Sequence, residues 1–212
     1  MSPPTAARDA TSERLDLLDW KRKIFDLYRD VRAEHDPANA WRKWRDTRDE
    51  LIAGHPQSPV DPSQRGAITP AYFDYDSAAR VLADVVPVEA KAGGVPMSRD
   101  DGSKFTRFGQ AVFELGGREL ALGLYWLEAY GGGVFLSFTD ETSGEETYGA
   151  GRYVLDTVKG ADLGTDGPRL VLDFNFAFNP SCAYDSRWAC PLAPAENRLS
   201  IAVRAGERVP AI

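Results

Sequence analysis

Histidine and cysteine are scarce in this chain, with two of each in 212 residues: His35, His55, Cys182 and Cys190. A zinc site draws most of its three or four ligands from those residue types, and a nucleophilic dyad needs an imidazole beside its Ser or Cys. His55 is the one plausible addition to the carboxylates, so metal and thiolate chemistry are set aside and no cofactor is expected. Two cysteines cannot build a disulfide framework. No apolar run approaches the roughly 18 residues that cross a bilayer.

An excess of basic charge is also missing. The net charge is −7, and it is unevenly placed. Residues 8–50 hold 11 basic and 11 acidic residues, whereas residues 51–212 hold 14 basic and 21 acidic ones. Phosphate recognition needs clustered Lys and Arg, so neither nucleic acid nor an anionic membrane is an expected partner. A small anion held by one buried Arg stays compatible with this balance. The N-terminus carries Asp9 and no apolar h-region, which predicts a cytoplasmic protein without a secretory signal. A hydrophobic content of 43% with 27% charged residues is that of a globular chain.

What is present divides into three parts. Residues 1–11 read as a flexible tail. From Ser12, a candidate N-cap, Leu17, Trp20, Ile24, Leu27 and Val31 recur at helical spacing. Pro37 ends that helix, and a second is predicted from about Asn39 to Ala53, with Trp41, Trp44, Arg48 and Leu51 on one face. Gly54 stands where a left-handed C-cap belongs. Residues 12–54 therefore form a helical arm. Its two-tryptophan face needs cover from the body or from a second copy, and a homodimer through these helices is one expectation.

Residues 55–212 form a β-rich domain. Strands are predicted at 79–88, 104–108, 110–115, 118–125, 134–138, 152–158, 169–178 and 199–204. Gly116-Gly117 is the strongest hairpin signal. Short strands without intervening helices predict an antiparallel barrel or sandwich of about seven to nine strands, with the two N-terminal helices packed outside.

Site-like residues concentrate between Glu145 and Asn197. Alternation along 170–179 sends Leu170, Leu172, Phe174, Phe176 and Phe178 to one face. Val171, Asp173, Asn175, Ala177 and Asn179 go to the other. Asp and Asn are poor strand formers, so this row reads either as the lining of a concavity or as a strand that ends near Phe174 and turns. Arg152 suits a carboxylate, that of a ligand or of Asp173. Glu145 and Glu146 are adjacent, so an extended strand turns only one of them inward. The loop after Asn179 holds three prolines, Tyr184 and Trp188. Within it Cys182 and Cys190 are read as packed thiols or a disulfide, and Glu196 and Asn197 as loop anchors.

Two functions follow. One is a small-molecule-binding barrel, its polar pocket lined by Asp173, Asn175, Asn179 and Arg152 and closed by Tyr148 and Tyr184, with Cys182, Cys190, Glu196 and Asn197 nearby. The other is a hydrolase or lyase, with Glu146 or Asp173 as general base and Arg152 stabilising negative charge. A structural or interaction module stands beside these two as an alternative.

The blocks Glu146-Thr-Tyr-Gly-Ala-Gly-Arg-Tyr, Leu172-Asp-Phe-Asn-Phe-Ala-Phe-Asn-Pro-Ser-Cys-Ala-Tyr, Cys190-Pro-Leu-Ala-Pro-Ala-Glu-Asn-Arg-Leu and Ala205-Gly-Glu resemble the signature of a prokaryotic family. It is the domain-of-unknown-function family numbered sixteen eighty-four. His55-Pro-Gln-Ser-Pro and Tyr72-Phe-Asp-Tyr-Asp-Ser-Ala-Ala-Arg add to the likeness, which runs from about Trp41 to Glu207. It departs at Ala193, where the family block has proline. The resemblance implies no activity; it implies that the stretch from Glu146 to Asn197 defines the domain.

Overall fold

The computed structural model describes residues 9–128 and 130–211; the predicted tail up to residue 8 lies outside them. The first helix, α1, runs Ala10–Ala33. It starts two residues before Ser12 because the Asp9 carboxylate accepts the amides of Thr11 and Ser12 at 2.9 and 2.7 Å, taking the capping role expected of Ser12. Ile24, Leu27, Tyr28 and Val31 are its buried stripe, while Leu17 remains exposed.

The second helix, α2, runs Pro37–Gly54. Asp36 caps it through the amides of Ala38 and Asn39. Pro37 fits the first turn because its missing N–H would be unpaired there anyway. Gly54 does not take the left-handed conformation; the helix ends instead at an extended His55, whose amide returns to the Leu51 carbonyl. The tryptophan face is covered by the body. Trp44 is fully buried, with its ring 5.9 Å from Tyr72 and 5.4 Å from Phe176, and its indole N–H donates to Tyr28 at 3.1 Å.

Among the described residues seven strands follow: β1 Arg80–Ala92, β2 Phe105–Leu115, β3 Arg118–Leu127, β4 Val134–Phe138, β5 Arg152–Asp156, β6 Thr165–Asp166 and β7 Arg169–Asp173. They form one antiparallel sheet in the order β5-β4-β3-β2-β1-β7-β6, curled into a half-barrel. Gly116 and Gly117 close the β2–β3 hairpin with φ of 60° and 72°, as a type I′ turn requires. The two predicted segments at 104–115 are one strand, bent by a bulge between Arg107 and Gly109. The predicted strand at 199–204 is a loop packed on the sheet, held by single links such as the Glu141 amide to the Ile201 carbonyl.

Phe113, Leu122, Leu136, Phe138, Leu172 and Phe174 fill the concave side. A second cluster joins α1 and α2 to Phe176 and Ala161. The helices therefore pack outside the curl.

Candidate functional site

The signature residues occupy several separate settings. Arg152 opens β5 and is almost fully buried. Its guanidinium bonds the Asp140 carboxylate and the Val203 carbonyl, each at 2.9 Å, and the carbonyls of Ala205 and Glu207. Asp140 also accepts the amides of Thr142 at 2.8 Å and Val203 at 3.2 Å. The partner of Arg152 is thus Asp140, not Asp173, and its donors are spent on fastening the C-terminal segment to the sheet. Burial lowers the Arg152 pKa, opposed by the attraction of Asp140. The same junction explains two glycines. A Cβ on Gly151 would stand 2.5 Å from the Phe138 carbonyl, and one on Gly206 2.5 Å from that of Ala177; both have φ near the left-handed region that favours glycine.

The strand carrying Asp173 ends there. Its carboxylate caps a short 3-10 turn, Phe174–Phe176, by accepting the Asn175 amide at 3.0 Å and its side-chain amide at 2.8 Å. Asn175 also exchanges two hydrogen bonds with the backbone of Asp76. Local bonding by Asp and Asn competes with the sheet ladder, and here it wins. The predicted two-faced row to Asn179 is therefore split. Phe174 joins the sheet core and Phe176 the helix interface. Asp173 lines a cavity of about 90 Å³ with Arg80, Arg32 and Glu34, with Arg80 Nε 4.0 Å away. Burial raises the Asp173 pKa, against the hydrogen bonds of Asn175.

Asn179 belongs to another cavity, of about 70 Å³, between the arm and the body, where Arg48, Tyr28, Tyr184 and Cys190 also stand. Its side-chain amide donates to the Arg208 carbonyl at 2.7 Å, which fixes its orientation and leaves Oδ1 buried without a hydrogen-bond partner. Beside it lies a pair that sequence reasoning missed. Arg48 of α2 meets Glu207 at 2.7 Å (Nε) and 2.6 Å (Nη2), and Glu207 accepts the Asn179 amide at 2.6 Å and the Tyr184 hydroxyl at 3.3 Å. The legible signal was Arg48 itself, a charge on a tryptophan-bearing helix face that needs a buried counter-ion.

Cys182 and Cys190 are both free thiols, the first half-buried and the second buried. The Cys182 amide donates to Cys190 Sγ at 3.3 Å, and the Tyr148 hydroxyl to Cys182 Sγ at 3.7 Å. A hydrogen bond from Cys190 brings the Cys182 pKa down to about 6, while that same bond and burial push Cys190 well up. Burial, with the bond to Cys182, pushes Tyr148 up to about 12.

The remaining candidates are anchors. Asn197, fully buried, imitates a peptide group. Its Oδ1 accepts the Gly123 amide at 2.7 Å, and its Nδ2 donates to the carbonyls of Gly123 and Ser137 at 3.0 and 2.8 Å. Glu196 accepts the Tyr125 hydroxyl. Glu146 pairs with Arg204 near the surface at 2.8 Å. His55 bridges Asp19 and the Gln57 amide, each at 3.0 Å, with its ring 5.2 Å from that of Trp20. Among the described residues no group of three or more His, Cys, Asp or Glu stands ready to hold a metal.

A wider concavity with an apolar lining lies elsewhere. A hollow of about 440 Å³ adjoins the sheet core, with Leu124 and Leu155 belonging to both. Val85, Phe108, Leu124, Val134, Leu155 and Leu170 line it, one from each strand except the two-residue β6. Thr157, Asp162 and Thr165 supply polar groups at its wall, and Arg32 of α1 donates to the Asp162 carbonyl at 2.5 Å, tying the arm to this rim.

No curated protein matches the chain. A solution structure of the uncharacterized protein from gene locus rrnAC0354 of Haloarcula marismortui is similar, with 32% identity and a TM-score of 0.54 over 77% of this chain and 89% of that one. Residues 69–208, which take in β1 through β7 and Glu207, match the model of the protein of unknown function family DUF1684, and the chain belongs to that family.

Proposed function

We propose that the protein binds a small, largely apolar molecule in the apolar hollow beside its sheet core. The observation that carries this reading is the hollow of about 440 Å³ to which six strands each give one apolar side chain. Small-molecule sites span roughly 300–1,000 Å³, with apolar walls and a few polar groups that set orientation. Thr157 and Asp162 suit that orienting part at the wall. The ligand is thus met by an apolar hollow instead of the Asp-Asn row.

The test is titration with a naphthalene dye whose fluorescence rises in apolar surroundings, in the wild type and in Val85→Trp, which fills the hollow from its rim. Saturable binding lost in V85W, with an unchanged circular dichroism spectrum, supports the reading. Equal binding by both proteins, or none by the wild type, removes it.

A second reading, self-association through α1, rests on exposed Leu15, Leu18 and Phe25, which fall on one side of that helix. Leu15→Glu with Leu18→Glu shifts a concentration-dependent sedimentation coefficient to the monomer value if this reading holds. A wild type already monomeric at high concentration ends it.

A further inference from the structure

Beyond the hollow, and independent of it, the molecule carries one pair of nucleophilic side chains that none of the roles above uses. Cys182 sits in the short 3-10 turn Ser181–Ala183, partly open to solvent, and Cys190 lies behind it with 5% of its surface exposed. The hydrogen bond from the Cys182 amide brings the Cys190 sulfur to within 3.3 Å of the Cys182 backbone. A disulfide needs its two cysteines adjacent in space, and this contact sets them side by side.

The surroundings differ for the two sulfurs in a useful sense. Cys182 receives the Tyr148 hydroxyl. Cys190 receives the Cys182 amide, and its own amide donates to Ser98 Oγ at 2.9 Å. It also borders the cavity of about 70 Å³ beneath Arg48 and Tyr184, which has room for a molecule of a few heavy atoms and no more.

We propose that Cys182 and Cys190 form a two-cysteine site for a small hydroperoxide, with Cys182 as the attacking and Cys190 as the resolving thiol. The Cys182 thiolate attacks one peroxide oxygen. An S–O bond forms, the O–O bond breaks, and the departing oxygen leaves as hydroxide or alkoxide and takes a proton from water. Cys182 is then a sulfenic acid. The Cys190 sulfur attacks the Cys182 sulfur, the S–S bond forms and the S–O bond breaks. The leaving hydroxide takes the Cys190 proton and departs as water. Two thiols thereby give two electrons to the peroxide, yielding a disulfide, one water and one further water or alcohol. A dithiol reductant reverses the oxidation of the pair by exchange.

The exposed partner is the more readily ionised one, as the attacking role requires, since the thiolate and not the thiol is the nucleophile. The hydrogen bond from Cys190 favours charge on Cys182. The product disulfide would close an eight-residue spacing and lock the Ser181–Ala183 turn against the segment where Cys190 bonds Ser98 and Pro191 bridges Met97.

Hydrogen peroxide is the probe, added in slight excess to the full chain and to Cys182→Ser and Cys190→Ser. Free-thiol titration, intact mass and dimedone trapping read the result. The wild type is expected to lose both thiols and two hydrogens of mass as a monomer, reversibly with dithiothreitol. C190S is expected to give a dimedone adduct at Cys182, and C182S to react about tenfold more slowly or worse. Direct over-oxidation of Cys182 in the wild type, equal rates in C182S and wild type, or bridges only between molecules would each overturn the proposal. Circular dichroism of both variants separates a lost site from a lost fold. If both serine variants unfold, peptide mapping of the oxidised wild type decides the same question.

Discussion

Arg48 on α2 and Glu207, 159 residues later, form a buried ion pair in which Nε and Nη2 both reach Oε1, at 2.7 and 2.6 Å. The other carboxylate oxygen is taken by the Asn179 amide and Tyr184. Every strong acceptor direction of Glu207 is used, and arm, signature loop and C-terminus meet there.

Glu207→Gln leaves the Arg48 charge buried without its counter-ion, which costs about 3–5 kcal/mol. Arg48→Met strands the carboxylate and is expected to cost a similar amount. The double variant R48M/E207Q should lose clearly less than the sum, because it leaves neither charge behind. Urea unfolding of the four proteins measures this; simple additivity would show that the pair is not coupled.

Asn197 offers a test of the anchor reading. Asn197→Ala removes three bonds that link β3 to β4 and leaves buried groups of Gly123 and Ser137 unpaired, at about 1–3 kcal/mol for each group. Asn197→Asp is expected to be at least as harmful, since a carboxylate cannot donate to two carbonyls. Denaturation midpoints rank the two; a harmless N197D would refute the role.

Asp173 sets a pH dependence. Its folded pKa is raised above the ordinary 3.8 by burial, so the folded state binds more protons than the unfolded one from that value up through the folded pKa. Stability therefore falls as pH rises through this window, and the cost is fully present above it. Asp173→Asn keeps an acceptor for Asn175 and removes the charge. The expected outcome is a melting temperature for D173N that gains on the wild type between acid and neutral pH. A parallel pair of pH curves would contradict it.

Cys182 gives a second one. With its pKa lowered to about 6 by the Cys190 hydrogen bond, alkylation by iodoacetamide should rise to a plateau by neutral pH instead of climbing toward pH 9. Tyr148, Cys190 and Ser98 face this sulfur, and Lys159 bears on Cys190. Tyr148→Phe removes one stabilising hydrogen bond, so its midpoint should move upward. Mass-spectrometric rates at Cys182 across pH read both, and an unmoved midpoint in Y148F would exclude the contact.

Much of this molecule was written locally. The 3.6-residue spacing from Ile24 to Val31, the tryptophan face of α2 and the Gly116-Gly117 turn each need only neighbours in the chain, because helix and hairpin bonds close within a few residues. The signature blocks likewise marked the stretch on which the C-terminal segment folds. Alternation misled at Asp173, where one side chain bonding its own backbone outweighed the ladder and divided the Asp-Asn row between two cavities. Residues whose role depends on a distant counterpart were legible only in type. Arg152 called for a carboxylate, but only the fold chose Asp140 over Asp173; Arg48 called for one as well, and found it 159 positions away. The hollow is purely tertiary: its six side chains look like ordinary core residues in the sequence, and only the pairing of six distant strands brings them round one space.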